Sequence, residues 1–131
     1  MKVAVLMGSA NDQPKMAPAL EMLQHFGVEA EEHVMSAHRT PAKVAAFTQS
    51  ARANGFGVII CGAGMAAHLG GAVAANTTLP VIGVPLSGSA LNGVDSLYST
   101  VMMPGFLRKA RRPHVSPELS AHGTTGTWSA W

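Results

Sequence analysis

The feature that most constrains this chain is a unit that recurs along it: a short apolar run, a turn of small and polar residues, then apolar positions at helical spacing. Val3-Ala4-Val5-Leu6-Met7 ends in Gly8-Ser9, and Ala30 to Met35 delivers Ser36-Ala37-His38-Arg39-Thr40-Pro41. Val58-Ile59-Ile60-Cys61 opens into the Gly-rich stretch Gly62 to Gly71, and Leu79 to Pro85 leads into Ser87 to Asn92. Short continuous apolar runs bounded by turn residues suit strands covered on both faces of a parallel sheet. The Ala30 run is polar at its start, which suits a strand nearer the sheet edge, and the prolines of the fourth run read as its limits.

Between the runs lie helical patterns. Asp12 can cap a helix that begins near Pro14 and carries Met16, Leu20 and Leu23 before Gly27 stops it. A second runs from Thr40-Pro41 to about Asn54, with Val44, Ala45, Phe47, Thr48 and Ala51 as its core stripe, and a last one spans about Gly93 to Met103. Strands alternating with helices imply βαβ crossovers and a mostly parallel sheet. The expected fold is therefore α/β, a three-layer sandwich of the flavodoxin-like or Rossmann-like kind.

In such a sheet ligands bind outside the carboxyl ends of the strands, where the polar turns gather. Ser36 to Pro41 is the richest of these turns, and His38 is the leading catalytic candidate: a free imidazole titrates near pH 6.5 and can both give and take a proton. Arg39 suits a phosphate clamp. Ser9, Asn11 and Asp12 lie where a strand end meets a helix start, a place that favours a phosphate or carboxylate, although the same three residues could serve only to cap the helix. Gly62 to Leu69 brings small residues and His68 to a second strand-to-helix turn, where backbone N–H groups can approach a ligand; His68 could equally pack beneath it.

Several classes are disfavoured. The net charge of +2 suggests nucleic acid only until the charges are located. Residues 1–105 hold five Lys and Arg against six Asp and Glu, whereas the last stretch holds Arg108, Lys109, Arg111 and Arg112 against Glu118, so the excess belongs to the tail. No aromatic-basic interleaving marks the body as a nucleic-acid binder. His38 and His68 have no sequence-local carboxylate or cysteine partner, so no metal is expected, and no Gly-x-Ser-x-Gly elbow supports a serine nucleophile. The lone cysteine, Cys61, excludes an intrachain disulfide. With no signal-like opening and no membrane-spanning run, a cytoplasmic protein with no membrane partner is expected.

At 131 residues the chain suits one compact domain, placed at 1–105, followed by a basic tail at 106–131 with neither helical nor strand periodicity. Only 12% of the chain is charged while 47% is hydrophobic, which implies apolar surface buried against other subunits and hence a homo-oligomer.

Read together and in order, five segments resemble one family closely: Met7-Gly8-Ser9 with Asp12, Ser36 to Pro41, Gly62-Ala63-Gly64 with Ala66 to Leu69, Pro80 to Pro85, and Ala90 to Leu97. They are similar to the class I N5-carboxyaminoimidazole ribonucleotide mutases of bacterial purine biosynthesis, the AIR carboxylase catalytic subunit family, over residues 3–105. Arg39-Thr40-Pro41 resembles the mutase class, where the animal-type carboxylases usually carry Lys-Gly-Pro.

The resemblance implies transfer of a carboxylate from N5 to C4 of the aminoimidazole ribonucleotide without a cofactor, in a family octamer. His38 would be the single proton carrier. Ser9, Asp12, Ser36 and Arg39 would hold the ribose phosphate and ribose, and Gly64, Ala66, His68 and Leu69 would confine the CO2 and its carboxylate. Three positions depart from the family pattern: Asn11 stands for Ser, Met65 for Gly, and Gly70 for Pro. The tail from Phe106 lacks the family's closing strand and helix. Two other readings remain open: a paralogue that carboxylates or decarboxylates another heterocyclic nucleotide, favoured by Met65, and a non-catalytic binding protein.

Overall fold

The structure, a computed structural model, describes residues 1–102; the expectations for 106–131 and for the domain limit at 105 lie outside the described residues. Four strands, β1 (Lys2–Met7), β2 (Ala30–Val34), β3 (Phe56–Gly64) and β4 (Val81–Leu86), form one sheet in the order β2-β1-β3-β4. Every neighbouring pair is parallel, with Val5 opposite Glu32 on one side and Ile60 on the other. This is the flavodoxin-like order expected of an α/β sandwich, and the chain reverses its direction of winding between β1 and β3.

Four helices follow the strands: α1 (Gln13–His25), α2 (Pro41–Ser50), α3 (Leu69–Ala75) and α4 (Val94–Val101). The period-two alternation of the strands divides the core into two layers. On one face Val3, Val5, Met7 and Leu86 pack with Met16, Leu20 and Leu23 of α1. On the other, Ala4, Leu6, Ile59 and Cys61 pack with Val44 of α2 and with Leu69 and Val73 of α3. Leu6 and Ile59 are completely buried, and each such side chain contributes about 1.5–3 kcal/mol of transfer free energy. Gly62 leaves room for this closeness: a Cβ there would lie 2.4 Å from the Met16 sulfur and would force that side chain to shift.

The helix termini follow from local chemistry. Gly27, at φ +67°, closes α1: its N–H reaches the Gln24 carbonyl at 2.9 Å and the Val28 N–H reaches the Leu23 carbonyl at 2.8 Å. This is a Schellman motif, and Val28 and Leu23 join the same apolar layer. At the other end Asp12 makes no side-chain cap bond. A single 3-10 turn, Ala10–Asp12, precedes α1, and it is Ser9 whose hydroxyl oxygen accepts from the Asn11 N–H at 3.3 Å. The expected cap is thus displaced by three residues: Asp12 already has helical backbone angles, φ −85° and ψ −12°, whereas Ser9 has the extended backbone of a capping residue.

Three further expectations are corrected. β3 does not end at Cys61 but continues to Gly64, because Gly62, Ala63 and Gly64 pair with Val84, Pro85 and Leu86; pairing outweighs the poor strand preference of glycine. Pro85 therefore lies within β4. It is tolerated because, among the described residues, β4 is paired on the β3 side alone. Finally, α2 stops at Ser50, short of Asn54, and an irregular turn leads to Gly55 at φ +85°.

β2 is an edge strand of the described sheet, as its polarity suggested. Lys2 of β1 donates to Glu31 and holds that carboxyl below the usual carboxylate range. The same ammonium lies 4.4 Å from the centre of the Phe56 ring. Among the described residues no helix is long and apolar enough to cross a membrane.

Candidate active site

The carboxyl ends of all four strands open into one cavity of about 520 Å³. Its walls come from four connections, those following β1, β2, β3 and β4, so the sheet order places it over the point where the winding reverses. All nine residues singled out from the sequence line it: Ser9, Asp12, Ser36, His38, Arg39, Gly64, Ala66, His68 and Leu69.

The turn after β2 is built by its own hydroxyls. Thr40 Oγ1 accepts from the Ser36 N–H and donates to the Ser36 carbonyl, both at 3.0 Å, while Ser36 Oγ accepts from the Arg39 N–H at 3.2 Å. These three bonds fix the backbone of residues 36–40 and leave His38 and Arg39 as the side chains it projects. Arg39 reaches across the strand ends, donating from Nη2 to the Gly8 carbonyl at 2.9 Å. One N–H of its planar fork is thus spent on positioning, and the fork retains further donors for an anion.

His38 meets His68, the residue that immediately precedes α3. Nε2 of His38 lies 2.8 Å from Nδ1 of His68, with the rings close to perpendicular at 83° and their centres 4.9 Å apart. One nitrogen must donate and the other accept, so the two facing atoms share one hydrogen. Both rings are exposed to the cavity. The following Leu69 is buried and anchors the start of α3 in the core.

Met65 adopts φ +54°, a left-handed conformation that glycine takes freely and a side chain takes at a cost of about 1 kcal/mol. The backbone at this position therefore keeps the shape a glycine would give it. The methionine side chain, 63% exposed, becomes part of the cavity wall.

Sequence reasoning did not single out Lys15, Ser87 or Gly88, which also line the cavity. Ser87 and Gly88 follow β4 directly, so the strand-end rule that selected the other turns could have found them. Lys15 carried no such signal, since a charged residue in the first turn of a helix reads as solvated surface.

Cys61 is the one thiol, and burial in β3 pushes it up to about 12, so it is no nucleophile at neutral pH. Among the described residues no three His, Cys, Asp or Glu side chains converge as a metal set would require.

Comparison with known proteins gives a consistent result. The chain is 57% identical over 104 residues to the N5-carboxyaminoimidazole ribonucleotide mutase of Vibrio vulnificus and 56% identical to that of Vibrio cholerae. Each match covers 79% of this chain, which spans 65% of the length of either relative. The fold matches the crystal structure of PurE from Treponema denticola with a TM-score of 0.74 at 28% identity, over 80% of this chain and 66% of that one. A family model described as AIR carboxylase matches residues 2–110, and the chain belongs to that family.

Proposed function

We propose that this protein isomerises N5-carboxyaminoimidazole ribonucleotide to 4-carboxy-5-aminoimidazole ribonucleotide, a step of purine biosynthesis. The observation that carries this reading is the hydrogen-bonded His38–His68 pair, set beside Arg39 in a strand-end cavity on a chain more than half identical to mutases of that name.

The chemistry needs one proton carrier. Protonation of N5 breaks the N5–carboxylate bond and releases CO2; C4 of the electron-rich ring then forms a bond to the CO2 carbon, and removal of the C4 proton restores aromaticity. The proton given in the first half returns in the second, so the reaction is an isomerisation with no net proton change. His38 performs both transfers. When His38 donates from Nε2 to Nδ1 of His68, its own Nδ1 remains to exchange the proton with the ligand.

Ser9, Asp12, Ser36 and Arg39 hold the ribose and its phosphate, and Gly64, Ala66, His68 and Leu69 keep CO2 beside C4. Confinement matters because escape or hydration of CO2 would end the reaction. No cofactor takes part. The protein works as a cytoplasmic homo-oligomer, an octamer as in the family it resembles. The exposed Leu97, Tyr98 and Val101 of α4 support burial against another subunit.

A second reading rests on Met65. Its side chain at the cavity wall favours a paralogue that carboxylates or decarboxylates a different heterocyclic nucleotide. Incubating the purified full chain separately with the two carboxylated ribonucleotides, and following their interconversion by NMR, decides between them. Interconversion in both directions is expected. Release of 5-aminoimidazole ribonucleotide and CO2 alone, or no reaction at all, would overturn the mutase assignment.

A further inference from the structure

Lys15 lies in the first turn of α1, and its ammonium donates to the backbone carbonyl of Ser87 in the loop after β4. This bridge crosses the cavity wall between elements that are distant in the chain. Lysine carries about 2 kcal/mol of rotamer entropy, so an exposed lysine held over a cavity by a single acceptor is distinct from one trailing in water. The acceptor is itself anchored: the neighbouring Leu86 carbonyl takes the buried Ser96 hydroxyl at 2.8 Å.

Gly88 completes the seat. It adopts φ +129°, and a Cβ built there would lie 2.8 Å from the Lys15 Nζ. The loop thus leaves, at the one residue beside the ammonium, the space that the ammonium occupies. An ammonium has three donors, and among the described residues Ser87 takes one of them. The cavity lining then holds two permanent cations, Lys15 and Arg39, against one carboxylate, Asp12. The cations are tied to different connections: Arg39, from the turn after β2, to the Gly8 carbonyl after β1, and Lys15, from α1, to the Ser87 carbonyl after β4.

We infer that Lys15 is a second anion-binding residue of this site, seated by the Ser87 carbonyl and Gly88, and that it contacts an anionic oxygen of the bound nucleotide. The inference rests on the proposed function, whose substrate carries two anionic groups, a phosphate and a carboxylate. Two cations tied to different connections can meet two anionic groups, which Arg39 alone cannot, and hydrogen bonds from charged donors to charged acceptors are the stronger kind.

Titration calorimetry on the full-length protein tests this with three ligands: 4-carboxy-5-aminoimidazole ribonucleotide, 5-aminoimidazole ribonucleotide, which lacks the carboxylate, and the carboxylated nucleoside, which lacks the phosphate. Lys15→Met should weaken binding of the complete ligand by about tenfold or more, Lys15→Arg should restore part of the loss, and Gly88→Ala, which displaces the ammonium, should mimic Lys15→Met. An equal loss for the complete ligand and for the one without carboxylate, with the nucleoside spared, assigns Lys15 to the phosphate. A loss confined to the two carboxylated ligands assigns it to the carboxylate. If Lys15→Met binds all three as the wild type does, or weakens all three equally while lowering the melting temperature, Lys15 is a structural tie and the inference fails. If the wild type binds none of them, the proposed function fails with it, and that result is distinct from the other two.

Discussion

His38 and His68 stand thirty residues apart in the chain and 2.8 Å apart in space, nitrogen to nitrogen, on turns that follow β2 and β3. Two imidazoles in this contact cannot both present N–H on the facing side, so one of the facing nitrogens donates and the other accepts. The pair is a single hydrogen-bonded unit supplied by two turns.

Replacing His38 by Asn should lower turnover by about 10² to 10⁴, the usual contribution of a general acid–base group, while circular dichroism and ligand binding stay near wild type. His68→Ala should also slow the reaction, and the double variant should lose less than the two single losses combined, with a coupling of about 0.5–3 kcal/mol. Steady-state kinetics on the four proteins measures this. A His38→Asn enzyme that keeps more than about a tenth of the activity would remove His38 from its role, and strict additivity would dissolve the unit.

Arg39→Ala and Ser9→Ala should act chiefly on KM for a phosphorylated substrate, because charge-assisted hydrogen bonds contribute about 1.5–3 kcal/mol each. Arg39→Ala should be the larger of the two, since its guanidinium also ties the β2 turn to the Gly8 carbonyl, whereas Ser9 Oγ already accepts from the Asn11 N–H. Comparing nucleotide with unphosphorylated nucleoside gives the check. Equal losses for both ligands would mean that neither residue reads the phosphate.

Met65→Gly relieves a left-handed residue and clears part of the cavity wall. The relief of about 1 kcal/mol is offset by the similar entropic cost of introducing glycine, so the melting temperature should change little. Activity should rise if the side chain merely crowds the ligand. A fall in kcat/KM would instead make Met65 part of the recognition surface and strengthen the paralogue reading.

The Cys61 thiol, raised by burial from an ordinary 9.0 to about 12, gives a pH signature. The unfolded chain loses the thiol proton as the pH passes 9.0, while the folded chain keeps it until about 12. The contribution of Cys61 to stability is therefore complete below the lower value and declines between the two, by at most about 1.4 kcal/mol per pH unit. Denaturant unfolding at several alkaline pH values should show a shallower decline for Cys61→Ala than for the wild type. Parallel curves would mean that the thiol ionises equally in both states.

The strands and the turns at their ends were legible because apolar runs, glycines and prolines act locally; Val3 to Met7 could hardly be anything but a buried strand. The four connections were readable as one site because parallel topology forces strand ends to one edge. What escaped was decided by partners far along the chain. Gly62 to Gly64 read as a loop, and only the opposing residues Val84 to Leu86 make it strand. The contact of His38 with His68 depends on the lateral offset of two strands that are not neighbours, and the seat of Lys15 on an unrelated loop, neither of which is encoded in spacing.

Because the cavity draws its walls from Gly8 through Gly88, no short contiguous fragment of the sheet contains the complete cavity. Its floor exists only after β1 has found β3 across the intervening α1, β2 and α2, a non-local pairing of the kind that makes folding slow. A nucleotide that binds here has affinity for the completed sheet and none for its precursors, and at a hundred times its dissociation constant it would stabilise that state by about 2.7 kcal/mol. The ligand is in that sense a folding partner: the higher its concentration above the dissociation constant, the further the balance lies toward native chain.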